Sequence, residues 1–165
     1  MKKFYIFLFI ALCLLIVCGK SCFCGANNGN CGFQINSGKS ADVIISLADK
    51  ESNKFNYTKS TRLYKKALRL NPSHPDEVYL KIGLNYILLD KYKKAVVPLT
   101  KSIESNSNNS YAYYNRGFVY YKLKKFENSK QDLKKAVEIN NFSHARQLKE
   151  AKDLLAHIEF LESAE

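Results

Sequence analysis

The sequence predicts an all-α protein: a solenoid of three helix hairpins closed by a C-terminal capping helix, behind an apolar N-terminal segment. Three observations carry this. Beyond residue 40, large apolar residues recur at three and four, the period of a buried helix face. That pattern returns at intervals of 34 or 35 residues. All 5 cysteines lie within the first 31 residues, so the repeating part has no disulfide framework available to it. The 165 residues are 46% hydrophobic with 3 Pro and 7 Gly, which excludes a disordered or collagen-like chain and leaves room for one ordinary domain.

Met1-Lys2-Lys3 is a short basic start, and Phe4 to Cys18 carries no charge. As a helix that apolar run would reach about 22 Å, short of a hydrocarbon core of about 30 Å. A basic start followed by a short apolar run reads as a signal segment at 1–18, with an uncleaved anchor as the alternative. Leu15-Ile16-Val17-Cys18 resembles the bacterial lipoprotein box and makes Cys18 a candidate for lipidation, although Val17 stands where a smaller residue is usual. Cys24-Gly25-Ala26 would suit ordinary cleavage. The expected location is therefore exported and membrane-associated, periplasmic or at the cell surface. A soluble secreted or N-terminally anchored protein is the alternative.

Residues 19–40 are rich in Gly, Asn, Ser and Cys and show no hydrophobic period, which predicts a flexible tether. Gly38-Lys39-Ser40 imitates the end of a phosphate-cradling loop, but Phe33 holds the place where that loop needs glycine, so no nucleotide site is expected. Cys22, Cys24 and Cys31 lack a fourth ligand and metal-binding spacing, so no metal is expected either.

The repeats begin at 41. Tyr79, Gly83, Tyr86, Tyr92, Ala95, Leu99 and Ser102 each stand 34 residues before Tyr113, Gly117, Tyr120, Phe126, Ser129, Leu133 and Ala136. An earlier copy holds Ile44, Ala48, Tyr57, Ser60, Tyr64, Ala67 and Pro72, with Glu51 where the others have tyrosine. Small residues at fixed places let two helices approach, and large ones fill the volume beside them. Each copy (41–74, 76–109 and 110–143) is thus predicted to be a hairpin. Pro98 falls inside a second helix and predicts a lost hydrogen bond and a kink there.

This alternation of large, small and aromatic residues resembles the tetratricopeptide repeat family. The resemblance covers residues 41–143, with Asn141 and Ser107 where a family member usually has proline. Residues 144–165 follow, with Leu148, Ala151, Leu154, Leu155, Ile158 and Leu161 on one face, the pattern of a solvating end cap.

The family's first helices line a concave, peptide-binding surface. The resemblance places Leu80, Lys81, Leu84 and Ile87 (with Leu88) there from the middle copy. From the third it places Tyr111, Tyr114, Asn115, Phe118 and Tyr121 (with Lys122). Ile45, Ser46 and Asp49 follow from the first copy. Aromatic anchors in a concavity are the usual carriers of binding energy. One branch of the family clamps acidic chaperone tails with Lys and Asn at two of these places. Ile45, Asp49 and Tyr111 occupy the corresponding positions here, so that activity is not implied.

The net charge is +11. Lys91, Lys93, Lys94, Lys122, Lys124 and Lys125 crowd the turns inside two hairpins, an edge that an acidic protein or anionic headgroup could meet. No nucleic-acid motif is present. His74, His144 and His157 stand alone, with no catalytic set around them, so neither enzymatic activity nor a cofactor is expected. The resulting expectation is a membrane-tethered adaptor of the cell envelope whose groove binds an unidentified protein or peptide. The alternative is a structural subunit packed permanently in an assembly or against itself.

Overall fold

A computed structural model describes residues 37–142 and 145–163, all within one compact unit that runs from Gln34 to Glu165. The signal segment, Cys18, Cys22, Cys24, Cys31 and most of the expected tether lie outside the described residues. The described residues form seven helices: α1 Ser37–Asn53, α2 Tyr57–Leu68, α3 Pro75–Leu88, α4 Tyr92–Ser105, α5 Ser110–Lys122, α6 Phe126–Ile139 and α7 Ala145–Ser163. Consecutive helices pack pairwise as three hairpins, α1–α2, α3–α4 and α5–α6. Each hairpin then leans on the next, α3 also touches α5, and α7 closes the end on α6.

α1 starts at Ser37, inside the segment expected to be tether. Nothing in Ser37-Gly38-Lys39-Ser40 forbids a helix, and Ala41, fully buried, anchors the new turn. α3 opens with Pro75, whose missing N–H is one of the unpaired donors of a first turn anyway. Asp76 and Glu77 follow and suit the positive end of the helix dipole. α5 is capped by Asn109, whose side-chain oxygen accepts from the Ala112 N–H at 3.1 Å. α4 runs through Pro98 from Tyr92 to Ser105 with the proline buried.

The turn inside each hairpin is built the same way. Phe55, Asp90 and Lys124 have positive φ, at 61°, 54° and 57°. The next residue's N–H then reaches back across the turn, from Asn56 to the Glu51 carbonyl at 2.9 Å, Lys91 to Tyr86 at 2.8 Å and Lys125 to Tyr120 at 2.9 Å. This is a left-handed C-terminal cap with its long back-bond, made three times without glycine. Glu51 fills the tyrosine's backbone role, so the first copy keeps the repeat geometry that its side chain breaks.

Small residues set the helix spacing. Gly83 faces Leu99 and Gly117 faces Leu133, each leucine being fully buried. The Ser129 hydroxyl donates to the Gly117 carbonyl at 2.7 Å, which ties α6 to α5 where the two approach. Three apolar clusters follow along the array. Ala48, Tyr64, Val78 and Ile82 join the first two hairpins, Ala95, Leu99 and Val119 the second and third, and Leu133, Ala151 and Ile158 the third and the cap.

Polar groups inside are paired. Asn85, 2% exposed, donates to the hydroxyls of Ser60 (2.9 Å) and Thr61 (3.2 Å) and accepts from Ser52. Arg116 forks onto both oxygens of Asp132, at 2.7 and 2.8 Å, beneath the rings of Tyr113 and Tyr120. Asn141 has an evident task where proline was usual. Its side-chain oxygen accepts from the Ser110 N–H and hydroxyl, and its amide donates to the Asn108 carbonyl. The end of α6 is thereby latched to the start of α5.

Candidate functional site

α5 presents a row of aromatic rings because tyrosine and phenylalanine recur at three and four along it: Tyr111, Tyr114, Phe118 and Tyr121. Tyr111 and Tyr114 stack with centroids 6.3 Å apart. Phe118 meets Tyr92 edge-on at 6.4 Å, and the Lys122 ammonium lies 5.3 Å from its ring centroid. α7 runs along this side and meets the hydroxyls of both Tyr114 and Tyr121, while Ile87 of α3 lies near Tyr111, Tyr114 and Phe118.

A pocket of about 190 Å³ opens there, lined by Ile87, Tyr111, Tyr114, Asn115 and Phe118, and by Arg146, Gln147 and Glu150 of α7. Five of the nine groove residues expected from sequence are thus brought together. The floor is aromatic and aliphatic. The rim carries one cation and one anion, Arg146 and Glu150, paired with each other at 3.4 Å and largely exposed. A mixed rim over an apolar floor suits one large side chain with polar backbone on either side.

The remaining four expected residues are placed elsewhere. Lys81 donates to Asp49 at 2.9 Å, so these two of the charged groove positions satisfy each other. Asp49 also accepts from the Tyr64 hydroxyl at 2.5 Å. Burial, followed by this carboxylate, pushes the Tyr64 hydroxyl well above the ordinary tyrosine range. Leu80 packs against the cluster of Ala95, Leu99 and Val119, and Ile45 likewise packs into the first cluster. Leu84 is half-buried on α3 outside the pocket lining.

Tyr121 differs most from the expectation of an open groove. α7 crosses its ring, packs it beside Phe126 and meets its hydroxyl with His157 Nδ1 at 3.1 Å. Asn115 lines the pocket, but its amide donates back to the Tyr111 carbonyl at 2.6 Å and the residue is only 6% exposed. Tyr114 has two roles. Its ring lines the pocket and packs against the α7 cluster, while its hydroxyl donates to Glu150 at 3.1 Å. Burial first, and Glu150 second, push that hydroxyl up to about 12.

Sequence reasoning missed Arg146, Gln147 and Glu150. Arg146 and Glu150 are spaced i, i+4, which fits the solvent face of a capping helix equally well. Only the path of α7 across α5 shows that they complete a pocket.

Of the basic edge, Lys91, Lys93 and Lys94 turn toward α2 and line two clefts there. Lys124 and Lys125 stay at the turn before α6. Among the described residues no group of three His, Cys, Asp or Glu side chains could hold a metal, and no helix is long and apolar enough to cross a membrane.

Residues 76–109 and 110–141 match the family described as tetratricopeptide repeat. The matches support a tetratricopeptide repeat protein. Solved structures share the architecture. The type III secretion chaperone SycD of Yersinia enterocolitica, in complex with a peptide of the translocator YopD, is 13% identical with a TM-score of 0.71. That alignment covers 78% of this chain and 99% of that one. PcrH, in complex with the chaperone-binding region of PopD, is 10% identical with a TM-score of 0.69, covering 75% of this chain and 94% of that one. The first tetratricopeptide domain of human RPAP3 is 25% identical with a TM-score of 0.59, covering 72% and 94%. The tetratricopeptide helix-hairpin fold expected from sequence is thereby shown.

Proposed function

We propose that this chain is a protein–protein interaction module that seats one large side chain of a partner's peptide segment between α3, α5 and α7. The observation that carries this reading is the pocket itself. Ile87, Tyr111, Tyr114 and Phe118 form an apolar floor, while Arg146, Gln147 and Glu150 offer hydrogen bonds at the rim. The SycD and PcrH structures, each holding a segment of another protein, support it by analogy of fold. The apolar run from Phe4 to Cys18 supports the further proposal that the module works tethered to a membrane of the cell envelope, with Cys18 as the site of lipid attachment.

A photo-crosslinking side chain at Phe118 tests the reading in the native membrane. A partner crosslinks at position 118 and not at exposed Glu138, and Tyr111→Ala removes the crosslink. Equal labelling at both positions, or none at 118, refutes it. Intact mass of the extracted protein tests the tether. A mass beginning at Cys18 with acyl chains is expected, and an unmodified mass beginning further on overturns that part alone.

A further inference from the structure

The second helices of the first two hairpins, α2 and α4, are separated by a long cleft on a different stripe of α3 from the pocket. It has two connected parts of about 680 and 540 Å³, which share Lys65, Tyr86 and Lys94. The floor of the smaller part is apolar: Leu68, Tyr79, Ile82 and Pro98, with Ile82 and Pro98 buried. Val97, 62% exposed, is a large aliphatic side chain left facing solvent at its margin. The walls are basic. Arg62, Lys65, Lys66, Arg69, Lys91 and Lys94 line the larger part, and Lys93 and Lys101 join at the smaller.

No aspartate or glutamate lines either part. The ion pairs found among the described residues use other cations, so among those residues these eight have no carboxylate partner. Two of them contact aromatic rings. Lys65 donates to the Tyr86 hydroxyl at 3.0 Å with its ammonium 5.5 Å from that ring's centroid, and Lys101 stands 5.5 Å from the centroid of Tyr79. Eight like charges around one concavity repel one another, and a bound anion removes that repulsion.

We infer that this cleft is a second docking site, for an acidic peptide segment with apolar side chains interleaved among its carboxylates. Charge complementarity selects the acid. The shape favours a peptide over a lipid surface, because Ile82 and Pro98 are buried between α2 and α4, where a single side chain can enter more readily than a flat headgroup layer. Carboxylates would meet Arg62, Lys65, Lys66 and Lys94 on the walls, while apolar side chains would cover Val97, Pro98 and the edge of Tyr79. The site is separate from the α3–α5–α7 pocket, and either can exist without the other.

The test uses the full chain in neutral detergent and a fluorescent peptide of alternating Glu and Leu. Anisotropy is expected to show saturable binding that weakens at least tenfold between low and high salt. Lys65→Glu with Lys94→Glu, both exposed side chains, is expected to weaken it at least tenfold with the helical spectrum unchanged. Val97→Asp weakens it separately, whereas Tyr111→Ala leaves it alone. No saturable binding, equal binding of a Gln-Leu peptide, or indifference to the charge reversal overturns the proposal. A parallel titration uses soluble short-chain phosphatidylglycerol. Saturable binding of that lipid without binding of the peptide assigns the cleft to headgroups and equally overturns it.

Discussion

Gly83→Ala is a small change with a computable consequence. In a helix interior alanine outperforms glycine by about 1 kcal/mol, so in open space the substitution would stabilise. Here the new Cβ would lie 2.6 Å from both Cγ and Cδ2 of Leu99. Leu99 is fully buried, and Cγ sits near the root of its side chain, so turning the tip gives no relief. α3 and α4 must part instead, and overpacking of this kind costs about 1–3 kcal/mol, the upper end applying to so short an approach. The net expectation is a loss of about 1–2 kcal/mol. Gly117→Ala serves as the internal control. Its nearest neighbours are Leu133 Cγ at 3.0 Å, Leu133 Cδ2 at 3.2 Å and Asp132 Cβ at 3.3 Å, distances that shifts of a few tenths relieve. The two contributions then nearly cancel, leaving about 0.5 kcal/mol or less either way. Urea unfolding of the full chain in neutral detergent, followed by far-ultraviolet circular dichroism, measures both. Leu99→Ala alone should cost about 2–5 kcal/mol, and combined with Gly83→Ala it should cost less than the sum by about 1 kcal/mol, because the new methyl takes up part of the cavity. A Gly83→Ala protein as stable as the parent, or a larger loss at Gly117 than at Gly83, would refute the reasoning.

Two further outcomes follow from the polar groups. Asp132→Ala leaves the Arg116 guanidinium without a carboxylate, its remaining hydrogen bond being to the Thr100 hydroxyl at 3.1 Å, and with side-chain exposures of only 18% and 8% in the native pair it should cost about 3 kcal/mol in the same unfolding assay. Arg116→Met combined with Asp132→Leu should recover most of that loss, and a double variant as weak as the single one would contradict the account. The Tyr114 hydroxyl, raised from 10.0 to about 12 by burial and Glu150, should make stability depend on pH at the alkaline end. The folded form prefers the proton, so this contribution is whole below pH 10 and is lost as pH rises toward 12. Urea midpoints should fall across that window and fall less in Tyr114→Phe, and an identical decline in both would show that Tyr114 is not responsible.

The periodicity made most of the fold legible. Equivalent glycines, leucines and aromatics lie where a repeating hairpin needs them, and helix bounds shift mainly at α1, whose polar first turn carries no apolar signal. Glu51 looked like a flaw in the first repeat because a side chain is visible in sequence and a backbone role is not. Its carbonyl accepts the same turn-closing bond as those of Tyr86 and Tyr120. The pocket was legible only in part. Tyr111 and Phe118 could be named because their positions follow from the repeat. The packing of Tyr121 against α7 and the contribution of Arg146, Gln147 and Glu150 depend on where α7 crosses α5, which no period within the repeat encodes. The basic cleft was half legible. Lys91, Lys93 and Lys94 cluster in sequence, but Arg62, Lys65 and Lys66 belong to another repeat and join them only through packing.

The α3–α5–α7 pocket is the central claim, and the affinity of a crosslinked partner's segment for the full chain tests it most directly. Tyr111→Ala with Phe118→Ala is the variant of choice, because both rings line the pocket while neither belongs to the buried clusters that hold the array together. Calorimetry should show affinity falling at least tenfold, about 1.4 kcal/mol or more, with the helical spectrum and urea midpoint retained. Unchanged affinity in that folded variant would contradict the assignment of the pocket.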